Sequence, residues 1–157
     1  MPVSITPVRA QSDLVVVKEL FVEYAASIGI DLEYQGFSAE LAGLPGKYAP
    51  PSGELLIASM NGEAVACVAL RALDRATLEM KRLYVRPATR GMGLGKRLVE
   101  AAISFAREHG YVELRLDTLA TMAAAQAVYR SLGFVEIPPY GAAHVPGTVF
   151  YGLPLTS

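Results

Sequence analysis

Apolar and polar positions along the chain alternate between two periods, and the switches mark the elements. Ser4–Val8 is a short strand candidate. Leu14, Val17, Leu20, Phe21, Tyr24, Ala25 and Ile28 then recur at helical spacing. Ser12 or Asp13 supplies an oxygen to cap that helix, and Gly29 stands where a left-handed C-cap belongs. Residues 31–51 are loop-rich, with a short helix predicted through Ser38–Leu44. Glu54–Met60 and Glu63–Leu73 are β-rich runs separated by Asn61-Gly62, a pair that favours a tight type I′ hairpin. Asp74-Arg75 makes a weaker turn into Thr77–Val85, giving three antiparallel strands in a row. Pro87 lacks a backbone donor and ends the third.

The second half reads as alternating helix and strand. Leu94, Leu98, Val99, Ala102, Ile103 and Ala106 repeat at helical spacing until His109-Gly110 closes the last turn. Tyr111–Thr118 alternates Val112, Leu114 and Leu116 against Glu113, Arg115 and Asp117, the period of a strand. Met122–Leu132 is Ala-rich and helical and stops at Gly133, and Phe134–Ile137 and Val149–Leu153 are two final strands around a Pro- and Gly-rich loop. This order predicts a mixed α/β sheet with at least one parallel crossover.

At 157 residues, with no repeat or linker-like shift in composition, the chain is expected to be one domain over 1–157. Its 14 Lys+Arg against 15 Asp+Glu give a net charge of −1, which argues against a general nucleic-acid or polybasic membrane binder. The single cysteine, Cys67, lies between Ala66 and Val68 and reads as a buried, inert thiol. No C-x-x-C or H-E-x-x-H spacing suggests a metal. The start lacks a signal-peptide pattern, and no apolar run reaches the ~18–20 residues that span a bilayer. The expectation is a cytoplasmic protein with no metal, nucleic-acid or membrane partner.

The chemically richest stretch is Arg90-Gly91-Met92-Gly93-Leu94-Gly95-Lys96-Arg97, between a strand and a long amphipathic helix. Backbone N–H groups at such a junction lack intrahelical partners, and the helix dipole adds partial positive charge. Glycines let those donors converge, and no Cβ blocks an incoming phosphate. Arg90, Lys96 and Arg97 add fixed charge, so a diphosphate is the natural guest. A P-loop would need glycine where Arg90 stands and a hydroxyl where Arg97 stands. The dinucleotide fingerprint G-x-G-x-x-G fails because Lys96 or Leu98 occupies its last glycine. The pattern that fits is [RQ]-x-x-G-x-[GA], read as Arg90, Gly93 and Gly95, although a plain strand–helix connector also has such glycines.

With this loop the sequence resembles the GNAT superfamily of N-acetyltransferases, whose members bind the pyrophosphate of acetyl-CoA there. Met80-Lys81-Arg82-Leu83-Tyr84-Val85-Arg86-Pro87 looks like the family's fourth strand, and Ala125-x-x-Val128-Tyr129-x-x-x-Gly133-Phe134 is similar to its A-x-x-[LV]-Y-x-x-x-G-F signature. The likeness is strong from Thr77 to Ile137 and architectural outside it. It implies a GNAT-like α/β (α+β) fold: a mostly antiparallel six- or seven-stranded sheet, a central parallel strand pair splayed at the cofactor site, and about four helices. It also implies acetyl-CoA as co-substrate, held by Leu83, Tyr84, Val85, Arg90, Gly91, Met92, Gly93, Leu94, Gly95, Lys96 and Ala125. Leu83 and Val85 would contribute main-chain groups. Many members carry Asn where this chain has Met122, which removes one polar contact to the cofactor arm.

The activity implied is acetyl transfer to a primary amine of a small molecule or peptide, direct and within a ternary complex. The alternative is a catalytically inactive acyl-CoA sensor. Such transfer needs a neutral amine, a stabilised oxyanion and a protonated leaving thiolate. The resemblance gives the last role to Tyr129, and a phenol with pKa near ~10 is a fair match for an alkyl thiolate. The oxyanion would meet a backbone N–H near Leu83. Glu79 is either the base or a solvated strand carboxylate paired with Lys81 or Arg115. Tyr24, Glu33, Tyr34 and His144, with Glu23 and Asp31 nearby in sequence, are candidates for the acceptor site. Capping explains His109 better than catalysis does. A homodimer is a further expectation, with Phe150 and Tyr151 as contacts.

Overall fold

The computed structural model describes residues 2–141 and 144–155. In chain order these form β1 (Val3–Pro7), α1 (Gln11–Ile28), α2 (Phe37–Ala42), β2 (Glu54–Met60), β3 (Glu63–Ala72), β4 (Thr77–Val85), α3 (Leu94–Glu108), β5 (Glu113–Leu119), α4 (Ala123–Ser131), β6 (Val135–Ile137) and β7 (Thr148–Pro154). Short 3₁₀ turns at Leu32–Gln35, Gly46–Tyr48 and Pro87–Thr89 fill the connections. The strands make one sheet in the order β1-β2-β3-β4-β5-β7-β6. Every neighbouring pair is antiparallel except β4 and β5, which the α3 crossover makes parallel.

Local chemistry sets most boundaries. Asn61 and Gly62 have φ of 54° and 79°, the positive values a type I′ turn needs at both central positions. Asp74 Oδ1 accepts hydrogen bonds from the amides of Ala76 and Thr77, both at 2.8 Å, and so closes the turn into β4. The start of α1 differs from expectation. Ala10 is the N-cap, and Asp13 reaches back from the third helical position to the Ala10 amide at 3.4 Å. Gly29 does end the helix in the left-handed conformation, at φ 67°.

Both faces of the sheet are covered, which is why β3 is continuously apolar from Ala64 to Leu70 instead of alternating. Ala66, Val68 and Leu70 face a core shared with Leu98, Val99 and Ala102 of α3, whereas Cys67 and Ala69 face Val17, Leu20 and Phe21 of α1. In β7, Phe150 and Tyr151 are each 3% exposed, and this strand lies inside the sheet between β5 and β6. The expectation that these two side chains contact a second copy is therefore corrected: they pack within their own chain. No described helix is long and apolar enough to cross a membrane.

Two features of β4 create the site. Its pairing with β5 covers only Thr77–Glu79 against Glu113–Arg115, and beyond these residues the strands part. On its other edge Tyr84 aligns with Cys67 and Lys81 with Ala69, so Arg82 and Leu83 have no partner residue in β3. This bulge carries Arg82 at φ 60°, an uncommon conformation for a residue with a side chain. It is held by three bonds: Arg82 Nε and Nη2 donate to the Glu40 carboxylate at 3.0 and 2.9 Å, and Nη1 donates to Gln35 Oε1 at 2.9 Å.

Candidate active site

A cleft of about 720 Å³ opens where β4 leaves β5. Leu83, Tyr84 and Val85 form one wall, Ala125 and Val128 of α4 another, and the glycine loop with the start of α3 its end. Gly93 caps α3 at φ 76°, and Gly91 has φ 84°. The first backbone bond of the segment runs from Arg97 N to Gly93 O at 3.1 Å. Among the described residues, the amides from Gly91 to Lys96 donate to no protein acceptor. There is no acidic side chain in the first turn of α3 to occupy them. Arg90 Nε donates to Val85 O at 3.1 Å, which steers the terminal guanidinium nitrogens while leaving them free. A Cβ on Gly95 would stand 3.8 Å from Val85 Cγ2 and narrow the cleft between loop and strand. Of the residues expected here, all but Met92 line the cleft, and Met92 points away with 51% exposure.

Tyr129 is 4% exposed, its ring packed against Phe134 and Tyr151. Its hydroxyl makes no hydrogen bond among the described residues, yet it is not sealed from solvent. Burial raises its pKa above the ordinary tyrosine value, and Tyr24 and the Asp117 carboxylate push the same way. The phenol therefore stays protonated and its proton is uncommitted.

A second cavity, of about 510 Å³, lies beyond the strand gap and is lined by Glu40, Arg71, Glu79, Lys81, Arg82, Asp117 and Tyr140 among others. A neck of about 30 Å³ joins the two: Tyr24, Ile28, Leu119 and Met122 border both neck and cleft, and Tyr34, Lys81, Arg82 and Asp117 border both neck and cavity. Glu79 is buried here, 2% exposed, with both oxygens engaged. Arg71 Nε donates to Oε1 at 2.7 Å, Tyr140 Oη donates to Oε2 at 2.7 Å, and Lys81 Nζ lies 3.9 Å from Oε1. It is not solvated, and Arg115, though its register neighbour on β5, pairs with Glu113 instead. Asp117 has neither a hydrogen bond nor an ion pair among the described residues.

The other expected acceptor residues divide. Tyr24 and Tyr34 line the neck. Glu33 borders none of these spaces; its carboxylate accepts bonds from the Ser38 amide and hydroxyl and fixes a surface turn. Asp31 caps the same turn through the Glu33 amide at 2.9 Å, and Glu23 pairs with Arg86 at 2.8 Å. His144 is exposed and stacks edge-on against Phe150, away from these cavities. His109 caps α3, with Nδ1 2.9 Å from Phe105 O. Cys67 is 1% exposed, and burial pushes its thiol up to about 12. Arg82, Arg71 and Tyr140 are site residues that sequence reasoning did not assign. Their partners lie 42, 8 and 61 positions away, beyond any local pattern.

Burial of Tyr48 and Tyr129 has a consequence for stability. Both pKa values are raised in the folded chain, so the neutral phenols favour folding fully below the unfolded value of ~10, and that contribution is lost as pH rises above it. Thermal melts followed by circular dichroism should give an unchanged Tm between pH 7 and 9 and a lower one at pH 11. An equal Tm at pH 11 would mean that these phenols ionise in place.

Among the described residues no group of three or more His, Cys, Asp or Glu side chains is arranged to hold a metal ion. The model of the Acetyltransferase (GNAT) family matches residues 19–134. An N-acetyltransferase of Schizosaccharomyces pombe is 39% identical over 156 residues, covering 98% of this chain and 96% of that protein. An acetyltransferase of the GNAT family from Staphylococcus aureus superposes with a TM-score of 0.80 at 24% identity, covering 99% of this chain and 100% of the other. An acetyltransferase from Salmonella typhimurium, solved with its cofactor acetyl-CoA, gives 0.68 at 23% identity, covering 100% and 96%. The glycine loop and the parted strands thus sit in a chain that belongs to the GNAT family of acetyltransferases, and it is an acyltransferase.

Proposed function

We propose that this protein is an N-acetyltransferase that moves the acetyl group of acetyl-CoA directly to a primary amine while both are bound. The observation that carries this reading is the neck between the two cavities at the β4–β5 gap. It gives a long thioester and a small amine separate seats that meet at one point, which converts a bimolecular encounter into a positioned one. The cleft fits the co-substrate on its own chemistry: unpaired amides, a helix N-terminus and two cations face the same space.

In the transfer the amine nitrogen bonds to the acetyl carbon, the carbon–sulfur bond breaks, one proton leaves the nitrogen and one joins the departing thiolate. Tyr129 lines none of the three spaces itself but directly follows Val128 of the cleft wall on α4, and its uncommitted hydroxyl is the proposed source of the thiolate proton. The Leu83 amide, released from β3 by the bulge, faces the carbonyl oxygen. Asp117, the unbonded carboxylate at the neck, takes the amine proton. Glu79, with both oxygens occupied, orients Arg71, Lys81 and Tyr140 around the acceptor. The test is thiol release over an amine panel (amino acids, polyamines, aminoglycosides, peptide N-termini), and a folded protein that binds acetyl-CoA yet turns over none of them refutes the reading.

Arg90→Ala should weaken acetyl-CoA binding by about 1.5 kcal/mol, the low end for a hydrogen bond to a charged group, because Arg90 is exposed. Calorimetry would read this as roughly a tenfold rise in Kd. An unchanged Kd would mean the guanidinium serves only Val85 O.

A further inference from the structure

The second cavity carries an imbalance of charge that its own residues do not resolve. Four cations, Lys47, Arg71, Lys81 and Arg82, line it against three carboxylates, and their duties are unequal. Lys47 is exposed and makes no hydrogen bond or ion pair among the described residues. Arg82 is fully committed: two bonds to Glu40, one to Gln35, and a side chain 2% exposed. Arg71 uses only Nε, toward Glu79, and its two terminal nitrogens donate to no described residue. Lys81 is 11% exposed at its side chain, lies 3.9 Å from Glu79 and makes no hydrogen bond among the described residues. Two cations therefore share one carboxylate, whose other oxygen already accepts from Tyr140. A half-enclosed wall with a surplus positive charge and unfilled donors is completed by an anion, and a carboxylate suits a guanidinium fork.

The anionic side of the same cavity is the converse. Glu40 and Glu79 are spent on arginines, and Asp117 has no partner. The position of Asp117 matters. Glu79 and Arg115 are in register on the parallel strands, and Lys81 and Asp117 each lie two residues further on, where the strands have parted. Both border the neck, yet they do not form an ion pair within 4.0 Å. Beside the exposed Lys47, an unfilled cation site at Arg71 and Lys81 and an unpaired carboxylate thus border the same space, with the carboxylate at the neck that leads to the cleft.

We propose that the acceptor is an amino-acid-type zwitterion, bound with its carboxylate on Arg71 and Lys81 and its amino group against Asp117. This deepens the transferase reading and rests on it. A ligand of this class answers Lys81 and Asp117, the two unmatched charges that border the neck, at once. A polyamine or a peptide N-terminus, with no carboxylate near the amine, leaves the Lys81 side unfilled. The chemistry balances within the established family activity: the ammonium group gives one proton to Asp117 and through it to solvent, the nitrogen–carbon bond forms as the carbon–sulfur bond breaks, the thiolate takes the Tyr129 proton, the second nitrogen proton restores the Tyr129 hydroxyl, and the carboxylate is unchanged.

The test compares amino acids with their primary amides and their decarboxylated amines, measured by thiol release. Each acid should exceed its two analogues in kcat/KM by tenfold or more. Lys81→Met should raise KM for the acid about tenfold with kcat little changed, and leave KM for the amide as it was. Lys81→Arg should keep the preference, and circular dichroism melts confirm that both variants fold. Equal turnover of acids, amides and decarboxylated amines overturns the assignment, as does an equal effect of Lys81→Met on acid and amide. Absence of turnover with every amine, in protein that binds acetyl-CoA, overturns the transferase reading instead. The pocket is then judged by calorimetry of an amino acid into the coenzyme A complex. Binding that Lys81→Met abolishes supports it, and no binding overturns it.

Discussion

Gly93→Val should abolish acetyl-CoA binding in a protein that still folds. Gly93 caps α3 at φ 76°, and a β-branched residue avoids that region of backbone space. The space around it is open, with no atom within 4 Å of where a Cβ would be, so the substitution brings no clash with the core. Its cost is a local strain of about 1–2 kcal/mol, relieved by swinging the loop to negative φ. That relief disperses the amides of Gly91–Lys96 and turns the Val side chain toward the phosphates. Gly110→Val is the matched control: it too is left-handed, at φ 80°, with open space, but it follows the far end of α3. Calorimetry should show no acetyl-CoA binding for Gly93→Val and wild-type binding for Gly110→Val, both with folded circular dichroism spectra. Wild-type affinity in folded Gly93→Val would remove the loop from the diphosphate site.

Tyr129→Phe should lower kcat on the order of 10²-fold, the lower end of what a positioned general acid contributes, with acetyl-CoA affinity little changed. The substitution isolates chemistry from packing. Phe keeps the ring contacts with Phe134 and Tyr151, and the hydroxyl it removes holds no protein partner among the described residues. A hydroxyl of structural value would have one, so a purely structural tyrosine predicts loss of neither stability nor rate. Steady-state kinetics beside a thermal melt separate the cases, and unchanged turnover would send the search for the acid elsewhere.

The parts of the molecule that obey short-range rules are legible in the sequence. The Asn61-Gly62 hairpin, the α3 stripe ending at His109, the strand–glycine–helix junction and the α4 signature depend on neighbours within a few positions. The parts that depend on distant pairing are not. Alternation marks Asp117 as a polar position of a strand, but only the splay of β4 from β5 turns that position toward an enclosed cavity instead of water. By sequence Glu79 fits a base and a solvated, ion-paired strand carboxylate equally well. Its real partners, Arg71 and Tyr140, come from a neighbouring strand and a distant loop. Arg82 gave no signal at all, because a bulge and a carboxylate 42 residues upstream are needed to explain a buried guanidinium. Phe150 and Tyr151 read as exposed contacts only because the position of β7 between β5 and β6 is a property of sheet order.

The two cavities have no lining residue in common and meet only across a space of about 30 Å³. A substitution in the wall of one therefore leaves every wall residue of the other in place. In the proposed transfer, acceptor preference and coenzyme affinity can thus be altered one at a time.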